Sequence, residues 1–582
     1  MKTEWSWYEG WLPAGDVISF DVENDFYFLK KIKSKAETTI TQCAVSNGIT
    51  TVVARDAFDL ANMFHGLMAA HRNGRTLVAH NGWYADVPWI RRTCPDFPFN
   101  QGETMALGYL ADENQPLSLK ALCMKYLPDV EDWKEGIHAE QGSDAFAEYN
   151  ATDAVLTMRL YNALTSLLGK RAELVPKIIM PAMLALRACS TRGIYLDKRA
   201  IGEADEFYST KISVVLATLR DEFGISSPRK RQVVGEALTS AGHTLGHTET
   251  GKLSTGKATL ARLKETPLVV ALKEFWSLDK AYSAYVKRYK KLSESGDGRS
   301  HSEYTVVRTV TGRTSNSDQQ LPRTPLLHAF FSAPAGFRLV SADYSAVEFR
   351  VAAWVAGEQG IIERYRQNPG FDPHTWFAAM LYGKPEGEIT KDERQIAKSA
   401  NFGLLYMAQP PTLVEYVRKT TGRELSIVEA TRIYKMWHSE LPAFKPWYGR
   451  TWDFLVEHGY VESVTGRRRH FVGGELNASL QSFERQKPVL KQLRWMRAAA
   501  LREGVNFQVQ SLAADIALIA LRKCQLEGLP VNGFVHDSIS LELEEGVDLT
   551  EKLEKYMVRY PVWYLKKHFG VDFNMPLEIQ VK

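Results

Sequence analysis

Cysteine, net charge and long apolar runs are all in short supply in this sequence. Its five cysteines, Cys43, Cys94, Cys123, Cys189 and Cys524, are odd in number, scattered, and without the paired spacing of a zinc site. That excludes a disulfide framework and leaves reduced thiols with no structural zinc as the expectation. No apolar run reaches the length of a membrane span, and the opening MKTEWSWYEGW lacks the apolar core of a signal peptide. A cytoplasmic location without a membrane partner is therefore expected. The net charge of +4 is too small to identify a nucleic-acid partner, because what matters is clustering of charge along a groove. Repeats and low-complexity tracts are missing as well. What is present is an ordinary globular composition, 45% hydrophobic and 24% charged over 582 residues, a chain too long for one core and expected to form about three to four domains.

The stretch RLVSADYSAVEFRVAAW, Arg338 to Trp354, is the centre of the reading. A short apolar run ends at Asp343, after which Val347, Arg350, Val351 and Trp354 recur at helical spacing, so Asp343 is placed at a strand-to-helix turn. A carboxylate there needs a metal ion or a basic neighbour, or else it caps the next helix. Earlier in the chain, VISFDVE alternates as a strand and puts Asp21 and Glu23 on one face. Two adjacent carboxylates repel unless a divalent cation lies between them, and an all-oxygen donor set suits magnesium or manganese. HNGWYADVPWI then supplies Asp86, and YNATD places Tyr149 and Asp153 four apart on one helix face.

Asp21, Glu23, Asp86 and Asp153, with Tyr149, resemble the acidic set of a DEDDy-type 3'-to-5' exonuclease, whose fold is a mixed, ribonuclease H-like sheet flanked by helices. The resemblance implies that the four acids hold two metal ions while Tyr149 orients the attacking water. Beyond Pro181, helices alternate with basic connections, SSPRKRQ, TGKLSTGK and VKRYKK. Small donors beside Lys and Arg suit contacts to phosphate.

TGR at Thr311 to Arg313 and QQLPR at Gln319 to Arg323 precede the Asp343 strand. Arg313 offers a fork of donors for a phosphate or carboxylate. In TKDERQIAKSANFGLLY a capping box, Thr390 with Glu393, starts a helix on which Arg394, Lys398, Phe402 and Tyr406 form one stripe. Two cations followed by two aromatics suit a nucleoside triphosphate. After GRRR at Gly466 to Arg469, another helix carries Arg502, Asn506 and Gln510 four apart, and LPVNGFVHDSISLEL reads as a hairpin with His536 and Asp537 at its turn.

Together these segments resemble the family A DNA polymerases, of bacteriophage type, with an N-terminal exonuclease domain. The fold class implied is α/β and α+β multidomain, a ribonuclease H-like domain followed by a right hand. Residues 1–180 would be the exonuclease domain, 181–300 the thumb, 301–355 and 500–582 the two parts of the palm, and 356–499 the fingers. A 5' nuclease domain is expected to be absent. The resemblance implies that Asp343, Asp537 and the Tyr344 carbonyl bind two Mg2+ ions, with Mn2+ able to substitute. It further implies that Arg394 and Lys398 contact the triphosphate, that Phe402 stacks, that Tyr406 lies beside the nascent pair and that Glu348 rejects ribonucleotides. Arg313, Arg502, Asn506, Gln510 and His536 would contact substrate or DNA. Primer-template DNA and dNTPs are the expected partners of a monomer. Ser538, Met407, Ala346 and Gln320 depart from the family pattern. A single-subunit RNA polymerase and a non-catalytic nucleic-acid-binding module are the competing readings.

Overall fold

The computed structural model describes residues 3–25, 39–98, 101–248, 250–316, 324–471 and 491–582. Gln320 and the QQLPR segment lie outside them.

The N-terminal region is built on a six-stranded mixed sheet, ordered Ser6–Trp7, Thr51–Ala54, Ile40–Ser46, Val17–Asn24, Thr76–Ala79, Gly102–Glu103. Val17–Asn24 pairs antiparallel with Ile40–Ser46 and parallel with Thr76–Ala79, so the strand bearing Asp21 and Glu23 is internal to the sheet. The helix Asp144–Leu168 lies across it. Small residues permit the close approach: Ala147, Ala151 and Ala154 pack against Ala44 and Val53, and Ser19 Oγ donates to the carbonyl of Ala154 at 2.7 Å.

The middle of the chain is helical. Along Lys198–Asp221, Ile201, Ala204, Tyr208, Ile212, Val215 and Leu219 are buried at spacings of three and four. This is the stripe of an amphipathic helix with one face against a core. Its partners include Arg231–Ser240 and Pro267–Ala281, and these helices share a core of their own.

A four-stranded antiparallel sheet follows, ordered Val531–Val535, Ser538–Glu544, Phe337–Tyr344, Ile579–Val581. The expected hairpin is present, and His536 at its turn has φ of +58°, the left-handed conformation that a two-residue turn demands. Between the sheet's central strands in sequence lies a set of helices, among them Pro373–Tyr382, Lys391–Leu405, Ile427–Glu440 and Phe444–His458. The α/β and α+β multidomain architecture expected from the sequence is what the chain adopts.

The long helix ending at Leu526 qualifies a sequence expectation. Its segment Met496–Leu526 is apolar and long enough to cross a membrane by length and composition, but 83% of its most apolar window is buried inside the protein. It is apolar because it is surrounded by protein on nearly every side.

Candidate functional sites

In the N-terminal region the strand Val17–Asn24 and the helix Asp144–Leu168 bring three acids together. Carboxylate oxygens of Asp21, Glu23 and Asp153 lie within 4.8 Å of one another. Burial, then the Asp153 charge, pushes the Asp21 carboxyl up to about 7, while Lys134 and an Asn150 hydrogen bond pull the other way. Glu23 is pushed up to about 9 by burial, then by Asp21 and Asp153. Such shifts mark a site with more negative charge than its surroundings balance, and its oxygen-only donors fit a hard divalent cation.

Tyr149 is buried beside this cluster, its phenol raised by burial and then by Asp153. Asp86 stands apart from the three-acid group. It is buried, its carboxylate accepts from the Val22 N–H at 2.8 Å, and burial, then the charges of Asp21, Glu103 and Glu23, push its carboxyl well above the usual range. Residues the sequence did not single out complete the site. Asn150 donates to Asp21 Oδ2 at 2.7 Å, Glu103 accepts from the Gly82 N–H at 2.9 Å and so braces the loop before Asp86, and Lys134 pairs with Asp153. Asn150 lies inside the YNATD motif and was visible there. Lys134 comes from a distant turn with no signal of its own.

The second site lies on the four-stranded sheet. Asp343 pairs directly across from Ser538, so Asp537 is one residue from facing it. The two acids line one cleft. Asp537 is pushed up to about 7 by burial and then by Asp343. Asp343 is raised by burial and drawn down by Lys582 and Lys398. Asp343 does not cap the following helix: the cap position belongs to Ala346, which makes no side-chain bond.

The helix Lys391–Leu405 begins at the expected capping box, and Arg394, Lys398 and Phe402 line the cleft with Arg313, Glu348 and His536. Tyr406 joins through Glu348, which accepts from the Tyr406 hydroxyl and pairs with Arg313. Tyr344 turns its ring into the core and donates to the Met557 carbonyl. Arg394 Nε is held at 2.6 Å by Asp372, itself the cap of helix Pro373–Tyr382.

Asp372 and His374 also line the cleft and were missed, although the D-P-H run is a helix-start signature. His374 is buried, its imidazole lowered to about 4 by desolvation, and its ring lies 5.7 Å from that of Phe402. Arg502, Asn506 and Gln510 do not line the cleft as Arg394 does, and Gln510 reaches it by bonding Tyr406.

The arginines of GRRR are committed to acids: Arg467 to buried Asp515, Arg468 to Glu462, and Arg469 to Glu113 and Glu503. Gly312 of TGR has φ of +76°, and a Cβ there would meet the Arg467 guanidinium carbon at 2.9 Å. These two motifs form a structural joint.

Residues 204–582 match the family described as DNA polymerase family A, and residues 10–169 match the 3'-5' exonuclease family. The chain belongs to DNA polymerase family A. Relatives include DNA polymerase I of Pseudomonas aeruginosa, 29% identical over 428 residues that cover 70% of this chain and 44% of that protein. The thermostable DNA polymerase I of Thermus filiformis is 29% identical over 515 residues, covering 82% and 57%. The chain thus spans about half the length of these curated family A relatives. Among solved structures, the POL domain of Pol1 from M. smegmatis, in complex with DNA primer-template and dNTP, superposes with a TM-score of 0.74. It is 20% identical and covers 97% of this chain and 94% of its own, which supports the common fold.

Proposed function

We propose that the protein extends a primer 3' end on a DNA template with dNTPs and removes misincorporated nucleotides through a 3'-5' exonuclease site. The observation that carries this is the pairing of Asp343 with Ser538, which sets Asp537 beside Asp343 in a cleft walled by Arg394 and Lys398. Asp343, Asp537 and the Tyr344 carbonyl would hold Mg2+ in the polymerase site, and Asp21, Glu23, Asp86 and Asp153 would hold it in the exonuclease site, two ions in each, with Mn2+ able to substitute. Bound there, the ions would acidify the attacking hydroxyl or water and neutralise the departing oxygen.

The remaining chemistry falls to the chain's own side chains. Arg394, oriented by Asp372, and Lys398 hold the triphosphate, and Phe402 gives a flat surface to the sugar and base. Glu348, tied to Tyr406 and Arg313, occupies the space that a 2'-hydroxyl would need. Arg502, Asn506, Gln510 and His536 contact primer and template near the terminus. In the exonuclease site Tyr149 orients the attacking water.

The division proposed is exonuclease 1–180, thumb 181–300, palm 301–355 and 500–582, fingers 356–499; the separate core of the helices between Ile212 and Phe275 supports a thumb within it. A monomer acting in the cytoplasm completes the proposal. A bacteriophage-type source is also proposed. The relatives named above are bacterial, and a bacterial chromosomal locus would overturn it. One assay tests the function: extension of matched and mismatched primers with dNTPs or NTPs and Mg2+. Extension of the matched primer by dNTPs, and trimming before extension of the mismatched one, are expected. Failure of extension sinks the polymerase reading, and an untrimmed mismatch sinks the exonuclease reading.

A further inference from the structure

We propose that Lys134 is a positioning residue of the exonuclease site, holding the Asp153 carboxylate and the Tyr149 hydroxyl in one fixed arrangement through its ammonium group. The inference rests on the exonuclease reading above. Lys134 Nζ lies 2.7 and 3.1 Å from the two oxygens of Asp153 and 3.0 Å from the Tyr149 hydroxyl. It thereby bridges the two functional side chains that the helix Asp144–Leu168 contributes.

The turn that delivers Lys134 is itself held in place. Lys134–His138 is a short 3-10 helix, and its Gly136 packs so closely on Tyr149 that an added Cβ would come within 2.8 Å of the tyrosine Cβ. Immediately before it, Trp133 Nε1 donates to the Asp153 carboxylate. The Lys134 ammonium also lies 4.9 Å from the centre of the Tyr149 ring. Backbone packing, an indole and an ammonium therefore converge on the same two side chains.

Charge gives this arrangement its consequence. Asp21, Glu23 and Asp153 cluster within 4.8 Å, and the half-buried Lys134 is a cation acting on the cluster at short range. A fixed cation offsets carboxylate repulsion and orders the ligands. It also competes with a divalent ion for Asp153. Removing it should therefore tighten metal binding while loosening the geometry on which hydrolysis depends. A lysine that merely fastened its turn to the domain would behave otherwise, because its loss would weaken metal binding and hydrolysis together.

The full-length protein and its K134M and K134R variants would be compared in single-stranded DNA degradation and in Mn2+ binding by calorimetry. Primer extension by the same preparations would report an intact fold. For K134M, exonuclease kcat is expected to fall about tenfold to a hundredfold with KM nearly unchanged. Its Mn2+ affinity is expected to rise about tenfold, and K134R is expected to recover most of the rate. Wild-type degradation by K134M, or slow degradation with weakened Mn2+ binding that Arg does not rescue, would overturn the proposal. Absence of degradation by the unaltered protein would instead remove the exonuclease reading itself, and the role of Lys134 with it.

Discussion

The two acidic sites of this chain solve opposite electrostatic problems. In the N-terminal site Asp21, Glu23 and Asp153 crowd together under cover, with Lys134 the cation that eases them, and two of the carboxyls are driven up to about 7 and about 9. In the cleft on the four-stranded sheet Asp343 and Asp537 are the neighbouring pair, and although Glu348, Asp372 and Glu578 also line it, Arg313, Arg394, Lys398 and Lys582 share the same space. The first site is short of positive charge and built to attract cations. The second carries cations of its own, as it must if the ligand is a polyanion accompanied by metal ions. A single protein can therefore hold two sites of similar ligand type whose responses to metal, pH and substitution differ.

The largest effect expected from breaking this comparison is loss of one activity with retention of the other. Asp343→Ala or Asp537→Ala removes half of a two-acid site, and primer extension is expected to fall on the order of a thousandfold or more. Degradation of single-stranded DNA by the same preparations should persist, since its acids belong to a separate sheet. Asp21→Ala with Glu23→Ala should reverse the pattern. Rate measurements of both activities on each variant check this, and joint loss in either variant would show that the sites are not independent.

A smaller effect separates the sites by pH. Glu23, pushed up to about 9, keeps a proton in the folded, metal-free protein over a range where the unfolded chain has already lost it. Between the ordinary value of 4.5 and about 9 the folded state binds more protons, so stability must fall as pH rises through that window. Asp21 and, in the other site, Asp537, both raised to about 7, add to the fall in the lower part of it, so that only the part of the window above about 7 belongs to the N-terminal site alone. Melting temperatures in chelator are thus expected to decline from about pH 5 to about pH 9, less steeply for Glu23→Gln and hardly at all with Mg2+ present. An unchanged slope in Glu23→Gln would mean that the crowding does not burden the folded state.

The two sites also differed in how readily the sequence disclosed them. Asp21, Glu23, Tyr149 and Asp153 lie on a strand of period two and a helix of spacing four, so local periodicity alone put the right side chains on shared faces. The stripe Arg394, Lys398, Phe402 was legible for the same reason. The meeting of Asp343 with Asp537 depended on strand pairing between distant segments, which no local pattern encodes; it was reached through resemblance, and the register supplies it. Lys134, Asp372, His374 and Lys582 escaped notice because isolated residues in turns, or at a helix start, become informative only after the chain has folded around them. The GRRR motif carried no role of its own in the sequence, and in the fold its arginines are bound to acids.

The smallest predicted effect concerns the helix that walls the cleft. Lys391–Leu405 ends with Ala408 N–H on the Gly403 carbonyl at 2.8 Å and Met407 N–H on that of Leu404 at 3.0 Å, the paired bonds of a Schellman motif. The residue such a motif places in the left-handed region is Met407, with φ of +64°, where glycine would carry no Cβ penalty. Met407 also packs on the central core, so Met407→Gly alone would mix relief of backbone strain with lost packing. Met407→Ala loses nearly the same packing and keeps the strain. Met407→Gly should therefore be more stable than Met407→Ala by about 1 kcal/mol, read as a difference in urea midpoint. Equal midpoints would mean that the helix end relaxes once the methionine is gone. In that case it is the packing of the side chain that holds Met407 in the left-handed conformation, immediately after the tyrosine that bonds Glu348.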